Sequence, residues 1–128
     1  MVILFDQFNL PDDIYKVIFA TEQQEIVGKL LIQFIKDNGG EIGKTAMSMF
    51  ATQLHEGTLV DKEQRKGPQL SKVPALSYNK RQFYDRILTP MKSMGLVDYD
   101  LYKKTYRISE KFNKLMIRIG LMWLREIR

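Results

Sequence analysis

The sequence predicts a predominantly helical α+β domain, and three observations carry that reading. Apolar residues recur at helical spacing in several stretches, two short alternating segments near Val97 and Tyr106 are β-like, and capping residues or glycines separate them. With 128 residues and 45% hydrophobic content, the chain can bury one core and is too short for two. We therefore expect a single domain over residues 1–128, with its core at about 21–111 and a C-terminal helix over 112–128. No internal repeat or low-complexity linker divides it.

The elements follow in order. Met1-Val2-Ile3-Leu4-Phe5-Asp6 lacks the basic start and small-residue cleavage site of a secretory signal, so it is expected to form a strand or docking arm. Pro11-Asp12-Asp13 signals a short helix running to about Ala20, because acidic side chains suit the free N–H groups of a first turn. Thr21 and Gln24 have capping-box spacing, and Val27, Leu30, Leu31, Phe34 and Ile35 then line one face of the best core helix, which Asn38-Gly39-Gly40 ends. A third helix is predicted from about Glu41 to Glu56, with Ile42, Ala46, Met49, Phe50 and Leu54 inward and Gly57 as its stop. Thr58-Leu59-Val60 and Leu70-Ser71-Lys72-Val73 are expected to pair as a hairpin or ordered loop.

Ser77 or Asn79 caps the next helix, Asn79 being matched by Gln82 three residues on. Phe83, Ile87, Met91 and Met94 share one side; Arg81, Gln82, Asp85, Arg86, Thr89 and Lys92 share the other. A guanidinium fork matches the two acceptors of guanine, an amide matches adenine, and Lys80 in the first turn suits a phosphate. The same pattern also describes a plain solvated face. Pro90 has no amide hydrogen and its ring would clash with the Arg86 carbonyl, which predicts that the helix ends near Leu88 and restarts in a turn capped by Thr89. The reading surface is then Lys80 to Arg86, and Lys92 is discounted.

Charge is segregated. From Lys62 to Arg128 there are 16 Lys+Arg and 6 Asp+Glu (16 − 6 = +10), and from Met1 to Asp61 there are 4 and 9 (4 − 9 = −5). A positive field confined to one half of a chain favours a polyanionic partner, whereas the same charge spread evenly would mainly aid solubility.

Beyond the basic helix, Leu96-Val97-Asp98-Tyr99-Asp100 and Thr105-Tyr106-Arg107-Ile108 flank the lysine-rich tip Leu101-Tyr102-Lys103-Lys104. With the phrases Met91-Lys92-Ser93-Met94-Gly95-Leu96-Val97 and Tyr106-Arg107-Ile108-Ser109-Glu110, the stretch from about Thr21 to Lys111 resembles the winged helix-turn-helix superfamily of transcription regulators. The resemblance implies that the helix from Asn79 enters a major groove with Arg81, Gln82 and Arg86 near bases. It also implies a wing carrying Tyr102, Lys103, Lys104 and Arg107 against the backbone or minor groove. The connection from Gly57 to Leu76 is longer than an ordinary helix-turn-helix turn.

Other chemistry finds little support. Gly43-Lys44-Thr45 has the end of a phosphate-binding loop, but Asn38 stands where the first glycine is required, and the predicted preceding element is a helix. There is no cysteine, and His55 is the only histidine, so no metal site or cofactor is expected. Scattered carboxylates suggest no enzyme.

In the C-terminal helix, with Ser109 as its cap, Lys111, Lys114, Arg118, Arg125 and Arg128 lie within about 100° of one another on a helical wheel. Its apolar residues cover a wider arc than one core requires. Three partners suit it: the long N-terminal helix, a second copy of the chain, or an anionic membrane surface. A homodimer through Ile119, Gly120, Trp123 and Ile127 is the favoured expectation, and no stretch reaches the roughly 18 apolar residues needed to span a bilayer. The expected protein is thus a soluble, cytoplasmic, dimeric binder of double-stranded DNA that regulates transcription. A protein-interaction adaptor, or a replication or partition protein acting on DNA, is the alternative.

Overall fold

A computed structural model of the chain describes residues 7–56 and 79–128. The expected N-terminal arm and the hairpin between Thr58 and Leu76 lie outside these residues. Helix α1 (Ile14–Ile18) is capped by Asp13, whose side chain accepts from the Tyr15 N–H at 3.0 Å. Helix α2 (Glu22–Asp37) opens with a complete capping box: Thr21 Oγ1 accepts from Gln24 N–H at 3.2 Å, and Gln24 Oε1 accepts from Thr21 N–H at 3.3 Å. Phe19 lies across α2 so closely that a Cβ added to Gly28 would sit 2.4 Å from its Cζ.

After α2 the chain departs from the expected helix at Glu41. Gly39 and Gly40, at φ of +84° and +89°, turn it into a short strand, β1 (Glu41–Gly43), and α3 begins only at Lys44 (Lys44–Glu56). The reason is tertiary: β1 pairs antiparallel with β3 (Thr105–Ile108), which sets Ile42 opposite Tyr106 in the core, and Thr105 Oγ1 donates to the Glu41 carboxylate. The later start goes with a rotated inner face, so Met47, Phe50, Ala51 and Leu54 are buried while Met49, expected inside, is 56% exposed. Gly43-Lys44-Thr45 therefore follows a strand after all, but one whose backbone belongs to the sheet and is not free to wrap a phosphate.

The helix after Asn79 also differs from expectation. It runs as α4 (Lys80–Phe83), a π-helical turn (Tyr84–Leu88) and α5 (Thr89–Met94), without the break predicted at Leu88. Leu88 and Thr89 both keep right-handed helical angles, and Thr89 N–H donates to the Tyr84 carbonyl five residues back. Such a turn takes one extra residue, so Pro90 falls in the first turn of α5, where a missing N–H costs little. Gly95, left-handed at φ +84°, ends α5 and leads into β2 (Val97–Asp100).

The sheet has the order β1-β3-β2, antiparallel throughout. The described residues are thus mostly helical, with one small three-stranded sheet. Its core joins Val27, Leu31 and Ile35 of α2, the inner face of α3, and Phe83, Ile87, Leu88 and Met91, closed by Ile42, Val97 and Tyr106. Phe34, Phe50 and Phe83 form a chain of tilted rings with centroids 5.3 and 5.4 Å apart, each such contact contributing about 0.5–1.5 kcal/mol beyond burial.

Helix α6 (Lys111–Glu126) begins at this core and then leaves it. Ser109 Oγ accepts from Lys111 N–H at 3.1 Å, and Phe112 N–H donates to the Gly95 carbonyl at 3.0 Å. No residue of α6 is buried, so packing on the long N-terminal helix, one of the three arrangements open from sequence, does not occur. Among the described residues no helix is long and apolar enough to cross a membrane.

Candidate nucleic-acid interface

The candidate residues fall into two groups, one at the start of α4 and one at the β2–β3 turn. In the first, Asn79 and Gln82 are mutually engaged: Asn79 Oδ1 accepts from Gln82 N–H at 2.8 Å, and Gln82 Oε1 accepts from Asn79 N–H at 3.0 Å. This box anchors the helix start, leaving the Gln82 amide nitrogen as its outward donor. Lys80 Nζ donates to Ser48 Oγ on α3 at 2.6 Å, tying the two helices together at the surface. Arg81 extends into solvent and meets Asp85 one turn on at 3.6 Å, an exposed pair of small energetic weight. Arg86 is exposed and has no partner among the described residues. The buried flank of the same stretch, Phe83, Ile87 and Leu88, fixes the direction in which these side chains project.

The hairpin tip is ordered by Asp100. Its Oδ1 accepts from the N–H groups of Tyr102 (2.9 Å) and Lys103 (3.1 Å), and these bonds, that from Lys103 first, hold the carboxyl below its ordinary pKa. Tyr102 is 98% exposed, and Lys103 and Lys104 are exposed beside it. Lys104 has φ +56°, a left-handed conformation that glycine adopts more cheaply, by about 1 kcal/mol or more. Arg107 is placed differently. It stands on the outer face of the sheet between Glu41 and Asp98 in the cross-strand register and bridges Asp98 at 3.5 Å. Lys111 Nζ reaches the same carboxylate at 3.2 Å, and these two partners, Lys111 foremost, hold Asp98 below its ordinary pKa. Arg107 and Lys111 therefore join the hairpin to α6 before they serve any ligand.

Two lysines escape a reading of the sequence. Lys92 Nζ lies 5.9 Å from the ring centres of both Tyr99 and Tyr106, and Lys44 Nζ lies 5.6 Å from that of Tyr99. The two rings are themselves in contact at 4.7 Å, and burial pushes the Tyr106 hydroxyl pKa up. Lys44 is hidden in the sequence because the predicted helix starts three residues earlier, at Glu41. Lys92 lies beyond the break that Pro90 predicts, a break the π-helical turn removes. Among the described residues no cluster of three metal-ligating side chains occurs.

No family model, curated protein or solved structure matches this chain.

Proposed function

We propose that this is a winged-helix protein that binds double-stranded DNA sequence-specifically, with transcription regulation as its role. The observation that carries the reading is one exposed helix start, bearing Lys80, Arg81 and Arg86, followed by a hairpin with Tyr102, Lys103 and Lys104 exposed at its tip. Supporting it, the order α2-β1-α3-α4/α5-β2-β3, with β1 paired to the return strand of the hairpin, is the arrangement a winged helix requires. A lysine held left-handed where glycine would be less strained fits a position chosen for its charge.

In this reading Arg86 and Arg81 address base edges, the latter after exchanging Asp85 for the duplex, and the outward amide of Gln82 assists. Lys80 meets phosphate beside α3, with Lys44 at the start of that helix as a second backbone contact. The wing tip supplies Lys103 and Lys104 to phosphates, and Arg107 orients it through Asp98.

The test is duplex binding titrated against salt. Contacts through lysine and arginine release counterions, so affinity should fall steeply as salt rises. The double variant Lys103→Ala/Lys104→Ala should lower affinity for all duplexes about equally and flatten the slope of log K against log salt by up to ~2. An absence of duplex binding at low salt would instead support an adaptor that docks proteins.

A further inference from the structure

We propose that the exposed face of α6 is the seat of a second copy of this chain, the two α6 helices pairing antiparallel about a two-fold axis near Ile119. The partner's Trp123 and Ile127 would then cover the groove at the base of α6. Leu115, Met116, Ile119, Met122, Trp123 and Ile127 are each 40–64% exposed. With Phe112 they occupy an arc of about 140° on the helix. At roughly 150–250 Å² per large side chain, these exposed fractions leave on the order of 600 Å² of apolar surface on one helix. That is at the upper limit for a monomer patch and near the roughly 800 Å² per partner of a stable interface.

A groove at the base of the helix adds to it. A cavity of about 260 Å³ is lined by Ile14 and Ile18 of α1, Phe19, Leu96, Ile108 and Phe112. Phe112 belongs both to this lining and to the middle of the α6 arc, so groove and helix face are one continuous apolar surface. A helix laid along α6 necessarily ends over the groove.

Charge selects which occupant and which direction. Glu126 is the only carboxylate on α6, and it falls inside the apolar arc. A parallel pair would set two Glu126 side chains against each other in an apolar seam, whereas the antiparallel pair places each near the partner's Lys111 and Lys114 and opposes the helix dipoles. The basic residues Lys114, Arg118, Arg125 and Arg128 all lie to one side of the seam, free for solvent. An anionic bilayer fits less well: it favours cations on both flanks of the apolar face and disfavours a carboxylate within it.

The proposal does not depend on DNA binding, and its test needs no nucleic acid. The chain has no cysteine, so single thiols report on neighbours cleanly. Sedimentation of the intact chain at micromolar concentration should give a dimer, and Trp123→Glu should weaken association by about 100-fold or more, since an unpaired carboxylate would be buried. Residues 116 and 122 are equidistant from 119. A mixture of Met116→Cys and Met122→Cys should therefore cross-link between unlike chains with a short thiol reagent, and neither variant should cross-link well alone. A monomeric parent, cross-linking of like with like, or a monomer that binds phosphatidylserine vesicles would each overturn the proposal.

Discussion

Gly95 joins three parts of the molecule, and Gly95→Ala measures how firmly. Its φ of +84° is left-handed, where an alanine costs about 1–2 kcal/mol more than glycine. The added Cβ would also lie 2.8 Å from Phe112 N, 2.9 Å from Lys111 Cβ and 3.0 Å from the Lys111 carbonyl carbon. Two of these are backbone atoms, so no rotamer change relieves the collision, and the first turn of α6 must shift. That displacement also threatens the bond from Phe112 N–H to the Gly95 carbonyl, and overpacking of this kind costs about 1–3 kcal/mol. The expected total is about 2–5 kcal/mol, a large share of a domain's stability. Gly39→Ala supplies the control: its φ is also +84°, but nothing lies within 4 Å of the added Cβ, so it should lose only the conformational part, about 1–2 kcal/mol. Urea unfolding at fixed protein concentration reads both as midpoint shifts at constant slope. If the two variants agree within about 0.5 kcal/mol, the close approach of α6 to Gly95 does not constrain the fold.

Further perturbations address the candidate interface and its support. Arg86→Ala should weaken the preferred duplex by ~1–3 kcal/mol and relax base preference, while Asp85→Asn should tighten binding by freeing Arg81 and removing a negative charge; competition assays with preferred and scrambled duplexes check both, and an unchanged Arg86→Ala would remove that residue from the interface. For Asp98, the folded pKa lies below the ordinary value of 3.8, so its pairing stabilises the protein fully above that value and is lost as pH falls through the folded pKa. Acid unfolding of the parent should therefore exceed that of Asp98→Asn as pH falls below about 4, by less than ~1 kcal/mol for so exposed a cluster. Equal acid sensitivity in the two proteins would show that the cluster contributes nothing.

What could be read from sequence was what neighbours along the chain decide. The boxes at Thr21–Gln24 and Asn79–Gln82 are satisfied within four residues, so their spacing sufficed. The face of α2 was legible for the same reason. Strand β1 was not, because three residues become a strand only when an edge is offered by β3, some 60 positions later. The break expected at Pro90 failed because a proline's cost depends on the hydrogen-bond register before it, which the π-helical turn changes. At the site, residue types were legible but engagements were not: nothing in the sequence pairs Lys80 with Ser48 or sets Lys44 and Lys92 on Tyr99. The Arg81–Asp85 pair, at four-residue spacing, was available to a local reading.

The hairpin and α6 are fastened to each other at several points. Gly95 accepts from Phe112, Ser109 N–H donates to the Leu96 carbonyl, and Asp98 holds Lys111 on α6 and Arg107 on β3 together. Each bond alone is modest, about 0.5–1.5 kcal/mol, but they act at the two ends of a short lever, so α6 has little freedom to swing relative to the hairpin. If two chains pair through α6, the orientation of each hairpin is set relative to the dimer axis by these ties and not by a flexible linker. A dimer reads two half-sites only if their separation and orientation are fixed. Loosening the ties should therefore harm binding to a two-fold symmetric duplex more than binding to a half-site, and Asp98→Asn, which leaves the core intact, is the variant that separates this effect from loss of fold.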